Sequence, residues 1–268
     1  MVTRSRSLIV FSSLVALTVW VWALAGVVFW IRWHSVDRPG PPVKELFPYG
    51  EIRIGVDASY PPFEVASTTD LFGLDIDIGK AISKRLNVPV HFINMGYDGL
   101  YDSLKADQAD ILISALSIDY SRSADVLYTI PYFNGGQVLV TDSQHPLANM
   151  NEVSGHSLAF EFGSEANLTA RAWLRRIQPF QLMPYETPSI ALDAVRLGDS
   201  DAALVDATSA GVYMRQHPDW HTQQVAVTDS LYAIAVSTKR GNTWAAVNEA
   251  LKSLIDDKTI DSIIKAWL

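Results

Sequence analysis

From Gly50 onward, short apolar runs alternate with segments in which apolar residues recur at helical spacing. Continuous apolar runs are typical of strands buried on both faces of a parallel sheet, so the alternation predicts an α/β protein. The predicted strands are residues 51–57, 88–94, 109–115, 156–162, 201–206 and 232–238. The predicted helices are residues 75–86, 98–105, 164–177, 188–197, 207–216, 243–255 and 259–267.

The alternation forms two similar series, joined through extended segments near residues 134–141 and 228–233. This arrangement predicts two lobes between which the chain crosses twice. Lobe 1 is expected to contain residues 50–136 and 231–268, and lobe 2 residues 137–230. A ligand would then lie in the cleft between the lobes.

Composition excludes several classes of function. The net charge is −8 and no basic cluster is present, which argues against a nucleic-acid partner. The absence of cysteine excludes disulfides, thiolate metal sites, cysteine nucleophiles and a lipid carried on an N-terminal cysteine. The six histidines lack metal-ligand spacing, and no catalytic or phosphate-loop motif is present. We therefore expect neither a metal nor a cofactor.

The N-terminal region carries an uncharged segment, residues 8–31, that is long enough to cross a bilayer as a helix. We interpret residues 1–33 as a signal anchor that remains uncleaved. A cleaved signal peptide is the alternative, because the small-residue site at residues 23–25 has the required character. Residues 34–49 contain four prolines and are interpreted as a semi-rigid linker.

Three polar residues lie just beyond the apolar run at residues 111–113, in the segment ILISALSIDYSR. The ends of parallel strands hold small ligands in open α/β sheets, which places Ser114, Ser117 and Arg122 beside the cleft. Arg122 offers a planar fork of donors that suits a carboxylate, and Ser117 can donate from its hydroxyl and its amide. The alternative is a surface arginine after a strand, with two turn serines.

The segment DASYPPF follows the first predicted strand. Its two prolines fix an extended turn. In that turn Tyr60 would form a wall of the pocket, and Asp57 would accept a hydrogen bond from a cationic or polar ligand group. The alternative is that the aromatic rings of Tyr60 and Phe63 pack on their own loop, an arrangement more expected of Phe63.

Two further strand ends carry candidate binding groups. Gly163 permits a tight turn, and the amides of Ser164 and Glu165 then point outward at a helix N-terminus, where anions bind. Asp206 could receive an ammonium group. Ordinary helix capping by Ser164 and by Asp206 is the alternative in both cases.

Six segments, taken together, resemble the family 3 extracellular solute-binding proteins, the polar amino-acid receptors of bacterial ABC importers. The resemblance covers about residues 50–268. The segments are GVDASYPPF, FGLDIDIGKAISKRL, ADILISALSIDYSR, YTIPYFNGGQVLV, DAALVD and the C-terminal region from YAIAVSTKRGN to IIKAWL.

The resemblance implies a type II periplasmic-binding-protein fold whose two lobes close on an amino acid by hinge motion. The implied carboxylate contacts are Arg122, the Ser117 amide and the amides at Ser164 and Glu165, after the Gly163 turn. The implied ammonium contacts are Asp206, the Ser117 hydroxyl and the carbonyl of Ser114 or Ala115. The implied surroundings of the ligand side chain are Tyr60, Tyr97, Asp57 and Glu161.

The resemblance also has departures. Glu165 stands where many relatives have threonine, so that a side-chain contact is lost while amide donation remains. Ala115 replaces a frequent serine or glycine, and the helical tether replaces a cleaved peptide or a lipid-bearing cysteine.

We therefore expect a non-enzymatic receptor, held at the cell membrane by its N-terminal helix, with its soluble domain in the periplasm or on the extracellular face. It would deliver an amino acid, polar or cationic, to an ABC importer permease. One alternative is an enzyme similar to the cyclohexadienyl dehydratases, with Glu165 or Glu161 as the acid. The other is a ligand-sensing module for a separate signalling partner.

Overall fold

The computed structural model describes residue 22, residues 24–27 and residues 42–268. Residues 22 and 24–27 are helical and belong to one unit, residues 1–42, whereas residues 43–268 form a second compact unit. Most of the predicted anchor and the first half of the predicted linker lie outside the described residues. Within the described ranges, no helix combines the length and the apolar character that crossing a membrane requires.

The strands of the second unit are β1 (Ile52–Val56), β2 (Ser59–Tyr60), β3 (Glu64–Ala66), β4 (Leu71–Phe72), β5 (Val90–Asn94), β6 (Ile111–Leu112), β7 (Val126–Tyr128), β8 (Phe133–Asn134), β9 (Gln137–Asp142), β10 (Ser157–Glu161), β11 (Gln181–Tyr185), β12 (Ala202–Asp206), β13 (Thr222–Ala226), β14 (Leu231–Tyr232) and β15 (Ala235–Ser237). Its α-helices are α1 (Val43–Leu46), α2 (Leu74–Leu86), α3 (Tyr97–Lys105), α4 (Glu165–Leu174), α5 (Pro188–Arg196), α6 (Ala207–Gln216), α7 (Gly241–Asp256) and α8 (Thr259–Trp267).

Two five-stranded sheets form the centres of two lobes. The first has the strand order β5-β1-β6-β15-β7, with β1 parallel to β5 and β6, and β15 antiparallel to β6 and β7. The second has the order β11-β10-β12-β9-β13, with β10 parallel to β11 and β12, and β9 antiparallel to β12 and β13. The predicted two-lobed α/β fold is therefore confirmed.

Each lobe has its own apolar core. Ile52 and Ile54 of β1 are fully buried and belong to a cluster that includes residues of α2 and α7. Leu158 and Phe160 of β10 are buried in a separate cluster that includes residues of α4. Burying one such side chain contributes about 1.5–3 kcal/mol, so each sheet is held in place by helices of its own lobe.

The folded unit begins at Val43, seven residues before the predicted start at Gly50. Leu46 is buried and Phe47 is fully buried in the core of lobe 1. The Thr243 Oγ1 atom, at the start of α7, donates a hydrogen bond to the Leu46 carbonyl at 3.0 Å. The end of the proline-containing segment is therefore part of the fold.

The two segments that cross between the sheets pair with each other. Strands β8 and β14 form an antiparallel pair in which Phe133 lies opposite Tyr232. Just after β8, a Cβ atom at Gly136 would lie 2.0 Å from the Thr228 carbonyl oxygen. Only glycine fits this close approach of two backbones. The crossing segments are therefore fixed side by side at the junction of the lobes.

Candidate functional site

A cavity of about 230 Å³ opens at the carboxyl edge of the first sheet. It lies where β1 and β6, parallel neighbours, both end, which is the usual location of ligands in open α/β sheets. Its lining consists of Asp57, Ser59, Tyr60, Tyr97, Ser114, Ala115 and Tyr232. Five of the predicted site residues are in this set, namely Asp57, Tyr60, Tyr97, Ser114 and Ala115.

Asp57 is the acidic group of the lining. Its Oδ1 atom accepts a hydrogen bond from Ser59 Oγ at 2.7 Å, and its Oδ2 atom accepts one from the Tyr97 amide at 3.1 Å. Each carboxylate oxygen can accept a further hydrogen bond. Within residues 42–268, no ion pair involves Asp57. The carboxylate is therefore fixed in position and available to a cation.

Two tyrosine rings stand beside this carboxylate with large exposed areas, 47% of Tyr60 and 54% of Tyr97. The Tyr60 ring stacks on Phe63, with 5.6 Å between ring centroids and 8° between planes. Phe63 is fully buried and contacts Tyr232 edge-on at 5.4 Å. Phe63 therefore packs in the interior of lobe 1. Tyr60 lines the cavity while its ring stacks on that of Phe63.

Ser114 and Ala115 form the floor of the cavity. The Ser114 hydroxyl accepts a hydrogen bond from the Asp57 amide at 3.0 Å and donates one to the Glu64 carboxyl group. The Ala115 amide donates to Asp75 Oδ2 at 2.6 Å, and Ala115 has φ +43°, a conformation that non-glycine residues rarely adopt. The floor therefore depends on two acidic side chains beneath it.

Ser117 lies beside the second crossing segment rather than in the cavity lining. It forms an antiparallel bridge with Tyr232, and its hydroxyl is 3.0 Å from the Ser230 hydroxyl. The amide of the next residue donates to the Leu231 carbonyl at 2.9 Å. Ser117 thus adjoins both the cavity wall and the junction of the lobes.

Arg122 also lies outside the cavity lining. Its guanidinium group stacks 4.0 Å from the centroid of the Tyr101 ring, and its Nε atom is 3.2 Å from Asp119 Oδ2. Its side chain is 47% exposed. Tyr101 follows Tyr97 by one turn of α3, so Arg122 is adjacent to the cavity wall but is held there by an acidic neighbour.

The predicted anion-binding turn lies at the end of β10 in the second lobe. Glu161 ends the strand, Gly163 adopts φ +80°, and Ser164 caps α4 by accepting a hydrogen bond from the Asn167 amide at 3.3 Å. Glu165 is exposed in the first turn. None of these residues lines the cavity of the first lobe in this structure.

Asp206 ends β12 and caps α6, because its Oδ1 atom accepts a hydrogen bond from the Ser209 amide at 2.8 Å. The next amide donates to the Gly136 carbonyl at 2.9 Å, which places Asp206 beside the first crossing segment. Burial raises the pKa of the Tyr232 phenol, and the Tyr60 phenol and the Asp206 charge raise it further. The capping carboxylate therefore stands next to the segment that joins the two sheets.

Sequence reasoning missed four residues of this site: Ser59 and Tyr232 in the lining, and Glu64 and Asp75 beneath it. Tyr232 reaches the cavity only through the pairing of the crossing segments. Burial raises the pKa of Glu64 to about 10 and that of Asp75 to about 7. The one available signal was that both acids stand within apolar stretches, in PPFEV and FGLDI.

Two α/β lobes, two paired crossing segments and a polar cavity at the carboxyl edge of the first sheet are typical of a protein that binds a small ligand between its lobes. The family described as bacterial extracellular solute-binding proteins, family 3, matches residues 52–268. The chain belongs to this family and is a solute-binding protein rather than an enzyme.

Two proteins of Escherichia coli (strain K12) are among the similar sequences. The chain is 26% identical over 224 residues to ABC transporter arginine-binding protein 1, covering 81% of this chain and 90% of that protein. It is 26% identical over 227 residues to the lysine/arginine/ornithine-binding periplasmic protein, covering 81% and 86%.

Solved structures show the same fold. The chain matches an ancestral cationic amino acid solute binding protein with a TM-score of 0.63 and 24% identity, covering 85% of this chain and 99% of that one. It matches the L-cystine solute receptor of Neisseria gonorrhoeae, in its unliganded open conformation, with a TM-score of 0.74 and 21% identity, covering 85% and 97%.

Proposed function

We propose that this protein captures a cationic amino acid between its lobes and delivers it to the permease of an ABC importer. The observation that carries the proposal is the position of Asp57. Asp57 lines the cavity together with the exposed rings of Tyr60 and Tyr97, and none of the ion pairs within residues 42–268 involves it. This is the environment that a guanidinium or ammonium group requires.

A cationic side chain fits this environment for two reasons. A carboxylate already fixed by two donors forms a charge-assisted hydrogen bond with little loss of side-chain entropy. The electron-rich faces of tyrosine rings also attract a cation, by about 0.5–2 kcal/mol each. A neutral side chain would gain less from Asp57 and from both rings.

The charges around the cleft favour the same ligand class. Asp57, Asp206 and Glu161 are the carboxylates among the proposed contacts, and Arg122 is the one cation. A cationic amino acid carries two positive groups and one negative group, and so suits this excess of acidic contacts. The two Escherichia coli relatives, named for arginine and for lysine, arginine and ornithine, support this choice.

We assign the ligand's carboxylate to Arg122, the Ser117 amide and the amides of Ser164 and Glu165. Arg122 must leave Asp119 to make this contact, and the amide groups after Gly163 must approach from the second lobe. Both requirements are met if the lobes close around the ligand. The exposed Glu165 side chain is not used, because its charge would repel a carboxylate.

We assign the ligand's ammonium group to Asp206, the Ser117 hydroxyl and the carbonyl of Ser114 or Ala115. Asp206 lies beside the first crossing segment, because the next amide donates to the Gly136 carbonyl, and lobe closure would bring its carboxylate to the ligand. Glu161 is proposed to adjoin the ligand side chain from the second lobe. Because these contacts come from both lobes, the ligand stabilises the closed form over the open form.

A thermal-shift screen of the purified full-length protein tests the ligand class. Arginine, lysine, ornithine and histidine are compared at pH 7 with glutamine, glutamate and leucine. A ligand present at 100 times its Kd stabilises the folded state by about 2.7 kcal/mol, so a cationic ligand should raise the Tm by several degrees. A rise with glutamate or leucine and none with the four basic amino acids would refute the assignment.

We propose further that residues 8–31 hold the protein at the outer face of the cytoplasmic membrane, with the folded unit outside. The supporting observation is a 24-residue segment without a charged side chain. The mass of the protein isolated from washed membranes should include residues 1–33. A mature chain that begins after residue 25 and is released without detergent would show that the segment is a cleaved signal peptide.

A further inference from the structure

Two carboxyl groups lie fully buried beneath the floor of the cavity, Glu64 on β3 and Asp75 on α2. The backbone brings them together, because the Asp75 amide donates to the Phe63 carbonyl at 3.0 Å. Gly73 makes the approach possible, since a Cβ atom there would lie 2.1 Å from the same carbonyl oxygen. The backbone contact between the start of α2 and the residue before β3 therefore holds the two acids next to each other.

The surroundings of the pair contain acids and phenols. The titratable groups that face it are Asp57 after β1, Tyr132 before β8 and Tyr232 on β14. No basic side chain of the described chain acts on either carboxyl group. Two adjacent negative charges buried without a counter-ion are strongly unfavourable, so the pair must retain a proton.

The hydrogen bonds show where that proton belongs. One oxygen of each acid is used by the cavity floor: Glu64 Oε1 accepts from the Ser114 hydroxyl, and Asp75 Oδ2 accepts from the Ala115 amide. The other two, Glu64 Oε2 and Asp75 Oδ1, are buried and receive no hydrogen bond from the described residues. A proton on Glu64 Oε2, donated to Asp75 Oδ1, satisfies both, and the buried Tyr132 hydroxyl faces Asp75 as a second donor.

We propose that Glu64 and Asp75 are positioning residues of the ligand site, which share one proton and so hold Ser114 and Ala115 in place beneath the ligand. The role in binding rests on the proposed function. Asp75 anchors the left-handed backbone of Ala115, and Glu64 fixes the hydroxyl that holds the Asp57 amide. Loss of either contact would let the floor relax away from the ligand.

The proton is tested by unfolding the ligand-free protein in urea between pH 7 and pH 9, because burial raises the pKa of Asp75 to about 7 and that of Glu64 to about 10, so the folded pair holds one proton in this range. Folded Glu64 keeps a proton that the unfolded chain releases above about pH 4.5. Stability of the wild type is therefore lost as the pH rises. Relative to Glu64→Gln, its unfolding constant should increase up to about tenfold per pH unit.

The positioning role is tested by comparing Glu64→Ala with Glu64→Gln. Glutamine can accept from Ser114 and donate to Asp75, as the protonated acid does, whereas alanine can do neither. In the ligand-free protein, Glu64→Ala should speed amide exchange in a peptide covering residues 111–117, and Glu64→Gln should not. With L-arginine as the probe at pH 7, Glu64→Ala should lose about tenfold or more in affinity, and Glu64→Gln should recover most of it.

Glu249→Gln is the matched control, because Glu249 is exposed on α7 and lies outside the site. It should leave the pH dependence of unfolding, the amide exchange of residues 111–117 and the affinity for L-arginine unchanged.

If the unfolding constants of the wild type and of Glu64→Gln change equally with pH, the shared proton is refuted. Wild-type exchange in Glu64→Ala would overturn the positioning role. If L-arginine does not bind the wild type, the proposed function fails, while the unfolding and exchange results still decide this inference. If Glu64→Ala does not fold, the comparison of Glu64→Gln with the wild type still decides the shared proton, and Ser114→Ala, which removes the hydroxyl that Glu64 holds, decides the positioning role by the same exchange and affinity measurements.

Discussion

The backbone amide of Tyr97 donates a hydrogen bond to the Oδ2 atom of Asp57 at 3.1 Å. Tyr97 is the first residue of α3, so the carboxylate lies at the positive end of a helix dipole. The same residue supplies an exposed aromatic ring beside that carboxylate. One helix start therefore fixes both the charge and one wall of the proposed side-chain subsite.

Replacement of Asp57 by asparagine should separate charge recognition from shape recognition. Asp57→Asn keeps the size of the side chain and removes its charge, so the affinity for arginine should fall by about 1.5–3 kcal/mol, or more than tenfold. Affinity for glutamine, measured in the same calorimeter, should change far less. Asp102→Asn, an exposed position of α3, is the control. An equal loss of affinity for arginine and for glutamine would show that Asp57 supports the fold and does not recognise the charge of the ligand side chain.

Replacement of Arg122 by alanine should reduce binding without reducing stability. The pair with Asp119 is half-exposed, and such pairs contribute about 0–1 kcal/mol to folding. The affinity for every amino-acid ligand should nevertheless fall at least about thirtyfold, because removing one partner of a buried charge pair costs about 2–5 kcal/mol or more.

Asp119→Asn is the informative companion variant. It should preserve or slightly raise affinity, because it releases the guanidinium group from its neighbour. Isothermal titration gives the ligand affinity of both variants, and urea unfolding gives their free energy of unfolding. Near-normal affinity of Arg122→Ala would defeat the assignment of the ligand carboxylate.

The long elements of the fold could be predicted from apolar periodicity, and the short ones could not. The helix predicted at residues 75–86 is Leu74–Leu86, and the strand predicted at residues 156–162 is Ser157–Glu161. Strands β2, β3 and β4 have two or three residues each, too few to show a period. Strand β11 was missed because it contains Pro184, which is tolerated there because β11 is an edge strand.

Some residues of the site could likewise be predicted from the sequence and others could not. Asp57 and Ser114 could be placed at the cavity because each stands at the end of a recognisable apolar run. Glu64 and Asp75 could not, because their burial depends on the approach of two backbones at Gly73. An acid in the first turn of a helix ordinarily faces solvent, so the local sequence predicts an exposed Asp75 side chain.

Replacement of Phe63 by alanine should affect both stability and binding. Phe63 is fully buried, and deletion of a buried phenylalanine ring costs about 3–5 kcal/mol. Because the Tyr60 ring stacks on Phe63, the same change should weaken one wall of the cavity and lower ligand affinity. Phe63→Leu should restore part of the stability and less of the affinity, since an aliphatic side chain fills space without offering a flat face. If Phe63→Leu restores stability and ligand affinity to the same extent, the position of the Tyr60 ring does not depend on stacking against an aromatic ring.

A buried charge cluster on the opposite side of lobe 1 should affect stability alone. Asp110 is fully buried and accepts hydrogen bonds from the Arg53 amide at 2.9 Å, from the Arg53 guanidinium and from Arg240 Nη1 at 2.5 Å. Asp110→Ala leaves both guanidinium groups with Asp107 as their remaining acidic partner, so the loss of stability should lie at the lower end of the about 3–5 kcal/mol that breaking a buried pair costs. At a temperature where the variant remains folded, ligand affinity should stay within about twofold of the wild type, because distant sites contribute independently. A large loss of affinity in the folded variant would mean that this cluster is coupled to the cavity through β1, which carries Arg53 at one end and leads into Asp57 at the other.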